Sequence, residues 1–310
     1  MKVAAGPVLA VLGPTAGGKS AVAMALATGD VGRRLGIELV SIDAMQVYRG
    51  MDIGTAKPDA RDRAGVRHHL IDLVEASESF TVTRFQSAYR EAVADIVVRG
   101  ARPLLVGGTG LYLRAVVDDL DIPGQWPEVR RRLEQEAETS GPEALHRRLV
   151  AIDPAAAAKM EPSNTRRIIR ALEVCEGGGR PFSSYGPGVD NYPVSTVTQV
   201  ALRWNREVLA RRIRARVVDM LDAGLVAEVE RLRSTGLSRT AAQALGYKEV
   251  IAHLDGEMSL DQTVETVVLR TRQFAVRQER WFRRDPRIRW FDVESDPVAE
   301  VAPVLERLLT

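Results

Sequence analysis

Five consecutive apolar residues, Val8 to Leu12, give way abruptly to a glycine-rich stretch and then to a run with helical spacing from Ala21 to Ala27. A short, wholly apolar run of this kind predicts a strand buried on both faces. The pattern returns at Glu38 to Ile42, which stops at Asp43, and at Pro103 to Val106, which stops at Gly107-Gly108-Thr109-Gly110. Between those two runs, Phe85, Ala88, Tyr89, Ala92, Val93, Ile96 and Val97 recur at three- and four-residue intervals, predicting a helix over 83–99. Strands alternating with helices predict an α/β fold, a parallel sheet flanked by helices. Ligands in such sheets bind beyond the carboxyl ends of the strands, so the glycine loop, Asp43 and Thr109 are expected to share one crevice.

From about residue 121 the alternation stops. Proline, glycine and arginine divide the chain into short helical stretches over 127–139, 142–152, 154–160 and 165–175, followed by a loop over 177–188. A strand over 196–202 then returns to the sheet, with long helices from Arg206 onward. The reading is a core in two parts, 1–120 and 195–310, interrupted by a small all-helical insertion over 121–194.

The glycine-rich stretch is Gly13-Pro14-Thr15-Ala16-Gly17-Gly18-Lys19-Ser20, the pattern G-x-x-x-x-G-K-[ST] in its required setting of strand, loop and helix start. Glycines let successive backbone N–H groups turn inward around an anion, and the helix adds the positive end of its dipole. Lys19 supplies a point charge and the Ser20 hydroxyl is a candidate Mg²⁺ ligand. The core is therefore expected to be P-loop NTPase-like. The loop alone implies a bound di- or triphosphate, without saying whether a P–O or a C–O bond breaks beside it. Asp43 suits either a metal ligand or a proton acceptor, and equally a cap on the next turn. Thr55 and Lys57, in the shaped loop Gly54-Thr55-Ala56-Lys57-Pro58, suit an anionic ligand or a solvated turn. His68, His69 and His146 lack acidic or cysteine partners at ligand spacing and read as structural.

Composition narrows the class. Of 310 residues, 45% are apolar and 27% charged, ordinary for a globular chain. Cys175 is the single cysteine, which excludes an internal disulfide and a cysteine-rich metal site. No secretory signal precedes the first strand and no apolar run approaches membrane-spanning length, so a cytoplasmic protein with no membrane partner is expected. Net charge is only +2, which by itself announces no nucleic acid. Its distribution says more. Basic residues are almost all arginine, with lysine only at positions 2, 19, 57, 159 and 248. Arginines cluster at 211–216 and again from Arg270 to Arg289, where they interleave with Phe274, Trp281, Phe282 and Trp290. Arginine mixed with aromatics suits phosphates and unpaired bases, although a basic helix with its aromatics in the core gives the same pattern. Further arginines at 130–132, 166–167 and 170 point to a basic face that includes the insertion.

These motifs together resemble the bacterial tRNA dimethylallyltransferases: the glycine loop at 13–20, Asp43-Ala44-Met45-Gln46-Val47-Tyr48, Gly54 to Pro58, Gly107 to Tyr112, Arg170 to Val174, Gln243-Ala244-Leu245-Gly246-Tyr247-Lys248, and Thr271-Arg272-Gln273 to Arg277-Gln278. They stand in family order over nearly the whole chain. One departure is Ala44, where the family usually has serine, which puts a secondary hydrogen bond in doubt. The resemblance implies transfer of a dimethylallyl group from dimethylallyl diphosphate to N6 of the adenosine 3′ of the anticodon, position 37, by a chain expected to act as a monomer. In that reading Asp43 and Thr109 are catalytic, and Gly13 through Ser20 with Arg212 hold the diphosphate, with Mg²⁺ on Ser20. Asp43, Ala44, Met45, Gln46 and Thr109, with Gln243, Gly246, Tyr247 and Lys248, would meet the flipped base and its neighbours. Arg130, Asn164, Arg166, Arg167, Arg272, Gln273, Arg277 and Arg283 would grip the anticodon stem-loop. The rivals are an isopentenyltransferase for free adenosine phosphates, a P-loop small-molecule kinase, and an RNA-binding protein whose loop only senses nucleotide.

Overall fold

β1 (Val8–Leu12) is buried at every position, and the reason is its place in the sheet. The sheet is six-stranded and parallel, in the order β3-β2-β4-β1-β5-β6, with β2 (Ile37–Ile42), β3 (His68–His69), β4 (Arg102–Gly107), β5 (Val197–Trp204) and β6 (Arg289–Val293). β1 and β4 are interior, and helices cover both of their faces. A computed structural model describes residues 8–186 and 188–310. The expected lead into β1 at 1–7 and Pro187 of the expected loop lie outside the described residues.

Two compact units form, residues 118–191 and the two flanking parts together. In the sheet-bearing unit, alternate residues of β1 feed two cores. Val8, Ala10 and Leu12 join one with Phe85 and Ile96 of α4 (Val82–Val98) and Tyr112 of α5 (Gly110–Val117). Phe85 packs on Tyr112 with ring centroids 4.4 Å apart. Burying one such ring stabilises by about 1.5–3 kcal/mol. Val229 of α11 (Leu225–Thr235) and Val250 of α12 (Tyr247–Leu254) complete that side. Leu9 and Val11 face the other core. It is built from α1 (Lys19–Thr28), α10 (Arg206–Asp222), α13 (Leu260–Phe282) and α14 (Pro297–Leu309). The short helices α2 (Asp30–Leu35) and α3 (Ala60–Gly65) complete the unit.

The unit over 118–191 is α6 (Pro127–Ser140), α7 (Pro142–Ile152), α8 (Pro154–Ala157) and α9 (Thr165–Gly178) around Leu133, Leu145, Leu149, Ile168 and Leu172. The loop expected to start at Gly177 begins two residues later. α9 continues through Gly177 and Gly178, where the Trp126 ring occupies the space side chains would fill; a Cβ on Gly177 would lie 2.2 Å from it. Two strands escape the sequence pattern. β3 has two residues, too few to show a period. β6 lies where continuous helix was expected, inside the arginine–aromatic cluster, which therefore divides between α13, a turn and this edge strand.

Candidate active site

The phosphate loop leaves β1 and ends at the first turn of α1. Gly17 N donates to Pro14 O at 3.2 Å, and Ala16 and Gly18 both sit at positive φ, 60° and 88°. Side chains then take up the loop's carbonyls. Lys19 Nζ donates to Pro14 O (2.7 Å), Arg212 Nε to Ala16 O (3.0 Å) and Trp204 Nε1 to Gly17 O (3.0 Å). The amides of the first turn of α1 have no helical acceptor. They remain available to an anion, and the exposed Ser20 stands among them.

Asp43 follows β2 and Thr109 follows β4, strands paired at Ile42↔Gly107. Gly107 is required there: a Cβ would meet Ile42 O at 2.1 Å. Asp43 Oδ1 accepts from Met45 N (2.8 Å) and Gln46 N (3.3 Å), so it does cap its turn. Only one oxygen is used this way. Oδ2 makes no hydrogen bond among the described residues and is free to accept a proton. Thr109 Oγ1 accepts from Ala44 N at 3.1 Å, which leaves its own proton to donate. That link runs through the Ala44 backbone, so alanine in place of serine leaves it intact.

Two further residues complete the site. Gln278 of α13 accepts from Thr15 N (2.8 Å) and donates to Gly108 O (2.9 Å), fixing the phosphate loop against the end of β4. Arg216, one turn beyond Arg212, is half-buried with Lys19 and Asp43 inside its field. Burial pulls Arg216 down, with Asp43 opposing. Lys19 is pulled down to about 8, first by burial and then by Arg216, while Asp43 works the other way. Two cations face one carboxylate here, an imbalance that an anionic ligand would correct. Arg216 belongs to the arginine cluster at 211–216, whose members can face phosphates or water, and here it is turned inward; Gln278 stands in a motif that shows nothing of its long-range partners.

The remaining predicted residues divide. Gln46 is close by, its amide held by Ser41, Thr55 and Ala56. Met45 is partly exposed beside it. Gln243 and Lys248 are exposed, as are Arg272, Gln273 and Arg277 along α13, which line a cleft of about 630 Å³ floored by Leu202, Trp204 and Ile213. Arg283 is exposed but paired with Glu279 at 2.5 Å. Arg212 spends Nε on the loop and lies over the Trp204 ring, 4.3 Å from its centroid.

Several expectations need correcting. The Tyr247 ring has no exposed surface and its hydroxyl donates to buried Glu228 at 2.6 Å, so it presents no side chain to a ligand. Gly246 is buried at φ 87° as the N-cap of α12. Lys57 is fully enclosed, its Nζ held by Asp52 (2.6 Å), Asp72 (2.7 Å) and Tyr48 O (2.7 Å); it clamps a loop rather than an anion. Thr55 likewise bonds its own loop, at Met51 O. In the helical unit Arg130 is braced by Glu134 (3.0 Å) and buried Glu173 (3.5 Å), and Asn164 caps α9. Arg166 and Arg167 are exposed on the first turn of α9. Among the described residues no cluster of three or more His, Cys, Asp or Glu could hold a metal, and no helix is long and apolar enough to cross a membrane.

The family described as IPP transferase matches residues 46–285. A tRNA dimethylallyltransferase of Kineococcus radiotolerans is 52% identical over 97% of this chain and 96% of its own length. That of Streptomyces coelicolor is 49% identical over 91% of this chain and 89% of its own. Among solved structures, the full-length tRNA isopentenylpyrophosphate transferase of Bacillus halodurans superposes with TM-score 0.69 at 38% identity, covering 98% of this chain and 96% of that one. A eukaryotic dimethylallyltransferase acting on tRNA gives 0.76 at 26% identity, over 96% of this chain and 77% of that one.

Proposed function

This chain belongs to the IPP transferase family, and on that premise we propose that it transfers the dimethylallyl group of dimethylallyl diphosphate to N6 of the adenosine at position 37 of tRNA. One observation carries the assignment of roles: Asp43, with Oδ1 spent on its own turn, interacts electrostatically with Lys19 and Arg216 of the phosphate site. A base and a cradle for a leaving group are both present, as alkyl transfer needs and simple nucleotide binding does not.

The adenosine amine is weakly basic. It attacks the allylic carbon as the C–O bond breaks, the diphosphate leaves with the bonding pair, and the amine proton passes to Asp43 Oδ2. Lys19, Arg216 and the first-turn amides of α1 stabilise the charge that grows on the departing oxygens. The Thr109 hydroxyl donates a hydrogen bond that orients the reacting groups, while Gln278 keeps the two halves of the site in register. Ser20 would hold Mg²⁺, an ion that takes most of its oxygen ligands from water and phosphates and so suits a site without an acidic cluster. When bound, the ion would add positive charge beside the diphosphate. Arg272, Gln273 and Arg277 supply charge and hydrogen bonds for the RNA backbone. The setting that fits is the cytoplasm, with the chain acting as a monomer.

The test is direct. Purified protein is incubated with unmodified tRNA, Mg²⁺ and dimethylallyl diphosphate, and the RNA is digested to nucleosides and weighed. Adenosine heavier by one dimethylallyl group is expected. Its absence, with ATP hydrolysis present, would overturn the reading in favour of a kinase.

A further inference from the structure

The peptide unit joining Gly17 to Gly18 lies in the phosphate loop just before α1. Its carbonyl accepts from Trp204 Nε1 at 3.0 Å, and its N–H, on Gly18, makes no hydrogen bond among the described residues. A trans peptide points its N–H and C=O in opposite directions. By taking the oxygen, the indole therefore turns the N–H away from itself. Gly18 is the N-cap of α1, so that N–H adjoins the unsatisfied amides of the first helical turn. The peptides on either side are held independently. Gly17 N donates to Pro14 O at 3.2 Å, and Gly18 O accepts from Val22 N at 3.0 Å. Among the described residues, the indole supplies the one hydrogen bond on the peptide between them.

This peptide needs holding because glycine stands on both sides of it. Rotating its plane by half a turn changes only ψ of Gly17 and φ of Gly18. It carries Gly18 from φ 88° to the negative side, which glycine adopts as readily. The rotated peptide would aim its carbonyl where the N–H had been, an oxygen against an anion. Trp204 is 6% exposed, with the Arg212 guanidinium over its ring, so its N–H has a fixed direction. Gly18 is also walled from outside by Pro297, the first residue of α14; a Cβ on Gly18 would lie 2.4 Å from Pro297 Cγ. Pro297 is itself braced. Asp296 Oδ1 accepts from Val298 N (2.8 Å) and Ala299 N (3.3 Å), and Glu300 Oε1 accepts from Ser295 N and Asp296 N, both at 2.8 Å.

We propose that Trp204 is a positioning residue for diphosphate binding: with Pro297 as the wall behind Gly18, it holds the Gly17 carbonyl so that Gly18 N–H is presented to the anion. This rests on the proposed reading of the loop as a diphosphate cradle. Without the indole N–H the peptide divides its time between two orientations, only one of which binds. Apparent affinity then falls by the competent fraction. Once seated, the diphosphate itself holds the N–H inward, so the step that breaks the C–O bond is untouched.

Trp204→Phe keeps a ring under Arg212 and removes the donor. KM for dimethylallyl diphosphate should rise about three- to tenfold, the order of one hydrogen bond, while kcat and KM for the anticodon stem-loop stay within about twofold. Calorimetric titration with inorganic diphosphate and Mg²⁺ should show the same loss of affinity. A residue that only packs would lower kcat, or raise KM for both substrates, and either result overturns the proposal, as does an unchanged diphosphate affinity. Pro297→Ala, which trims the wall and leaves the helix start intact, must weaken diphosphate binding by about twofold or more. If it does not, the proposal falls even should Trp204→Phe fail to fold. Diphosphate binding without prenyl transfer by the wild type would overturn the tRNA reading alone, since the titrations still test Trp204. No diphosphate binding by the wild type would overturn the reading of the loop and this proposal together.

Discussion

Diphosphate binding should draw a proton from solvent through Lys19. In the free protein the ammonium is half-buried, with Pro14 O its one hydrogen-bond acceptor among the described residues and Arg216 repelling it, and its pKa is pulled down to about 8. Phosphate oxygens beside Nζ favour the charged form and return it toward its ordinary value of about 10.4. Below pH 7 the lysine is charged with or without ligand and adds no pH dependence to binding. Between pH 8 and 10 it is mostly neutral when free and charged when bound, so each unit of pH weakens binding by up to tenfold. From pH 7 to pH 9 the loss is roughly tenfold, ~1.4 kcal/mol. The stability of the free protein has the opposite sign. Unfolding restores the ordinary pKa, so the unfolded chain binds more protons between pH 8 and 10 and the free fold becomes more stable as pH rises through that window. Calorimetric titration with a non-hydrolysable thiolo analogue of dimethylallyl diphosphate, in two buffers of different ionisation enthalpy, counts the protons. Uptake near zero at pH 7, about half a proton at pH 8 and nearly one at pH 9 is expected. Lys19→Arg, which cannot titrate, should flatten the curve. Uptake that stays at zero at pH 9, or that survives in Lys19→Arg, would refute the reasoning.

Asp43→Ala should abolish turnover while tRNA affinity in a filter-binding assay changes by less than about threefold; a large loss of binding would make Asp43 a contact residue. Gln278→Leu strands Thr15 N and Gly108 O, so thermal denaturation should show a loss of about 2–4 kcal/mol, with kcat falling more than KM rises; full activity would show that the bridge is dispensable. Arg277→Ala combined with Arg272→Ala should weaken tRNA binding and reduce the slope of log K against log salt by about 2. An unchanged slope would leave both arginines as ordinary surface charge.

The strands were legible where apolar runs were long and bounded by glycine, and the meeting of Asp43 with Thr109 followed from two strand ends on one edge of the sheet. What stayed hidden depended on partners distant in sequence. Tyr247 stood in a motif rich in exposed polar residues, but its hydroxyl finds Glu228, nineteen residues earlier, and the ring goes inside. Lys57 looked like an anion ligand because a lone lysine among arginines invites that reading; Asp52 and Asp72 close over it instead. β6 was masked because Arg289 and Asp292 flank Trp290 and Phe291 in so short a strand, and an edge position tolerates those charges. Gln278 shows the general limit. Its type permits a bridge between two backbones, but only the fold brings Thr15 and Gly108 to either side of it.

The strand order has a consequence for the birth of the molecule. β1 carries the phosphate loop between β4 and β5, and β5 is completed about 190 residues after β1, with the helical unit made in between. At ~5–20 residues per second, one edge of β1 waits roughly 10–40 s on the ribosome without its neighbour. Throughout that interval five apolar residues with open backbone groups form a ready template for misplaced strands. Such a chain should lean on chaperones that shield nascent segments, and the helical unit, whose contacts are local, should finish folding before the sheet that flanks it.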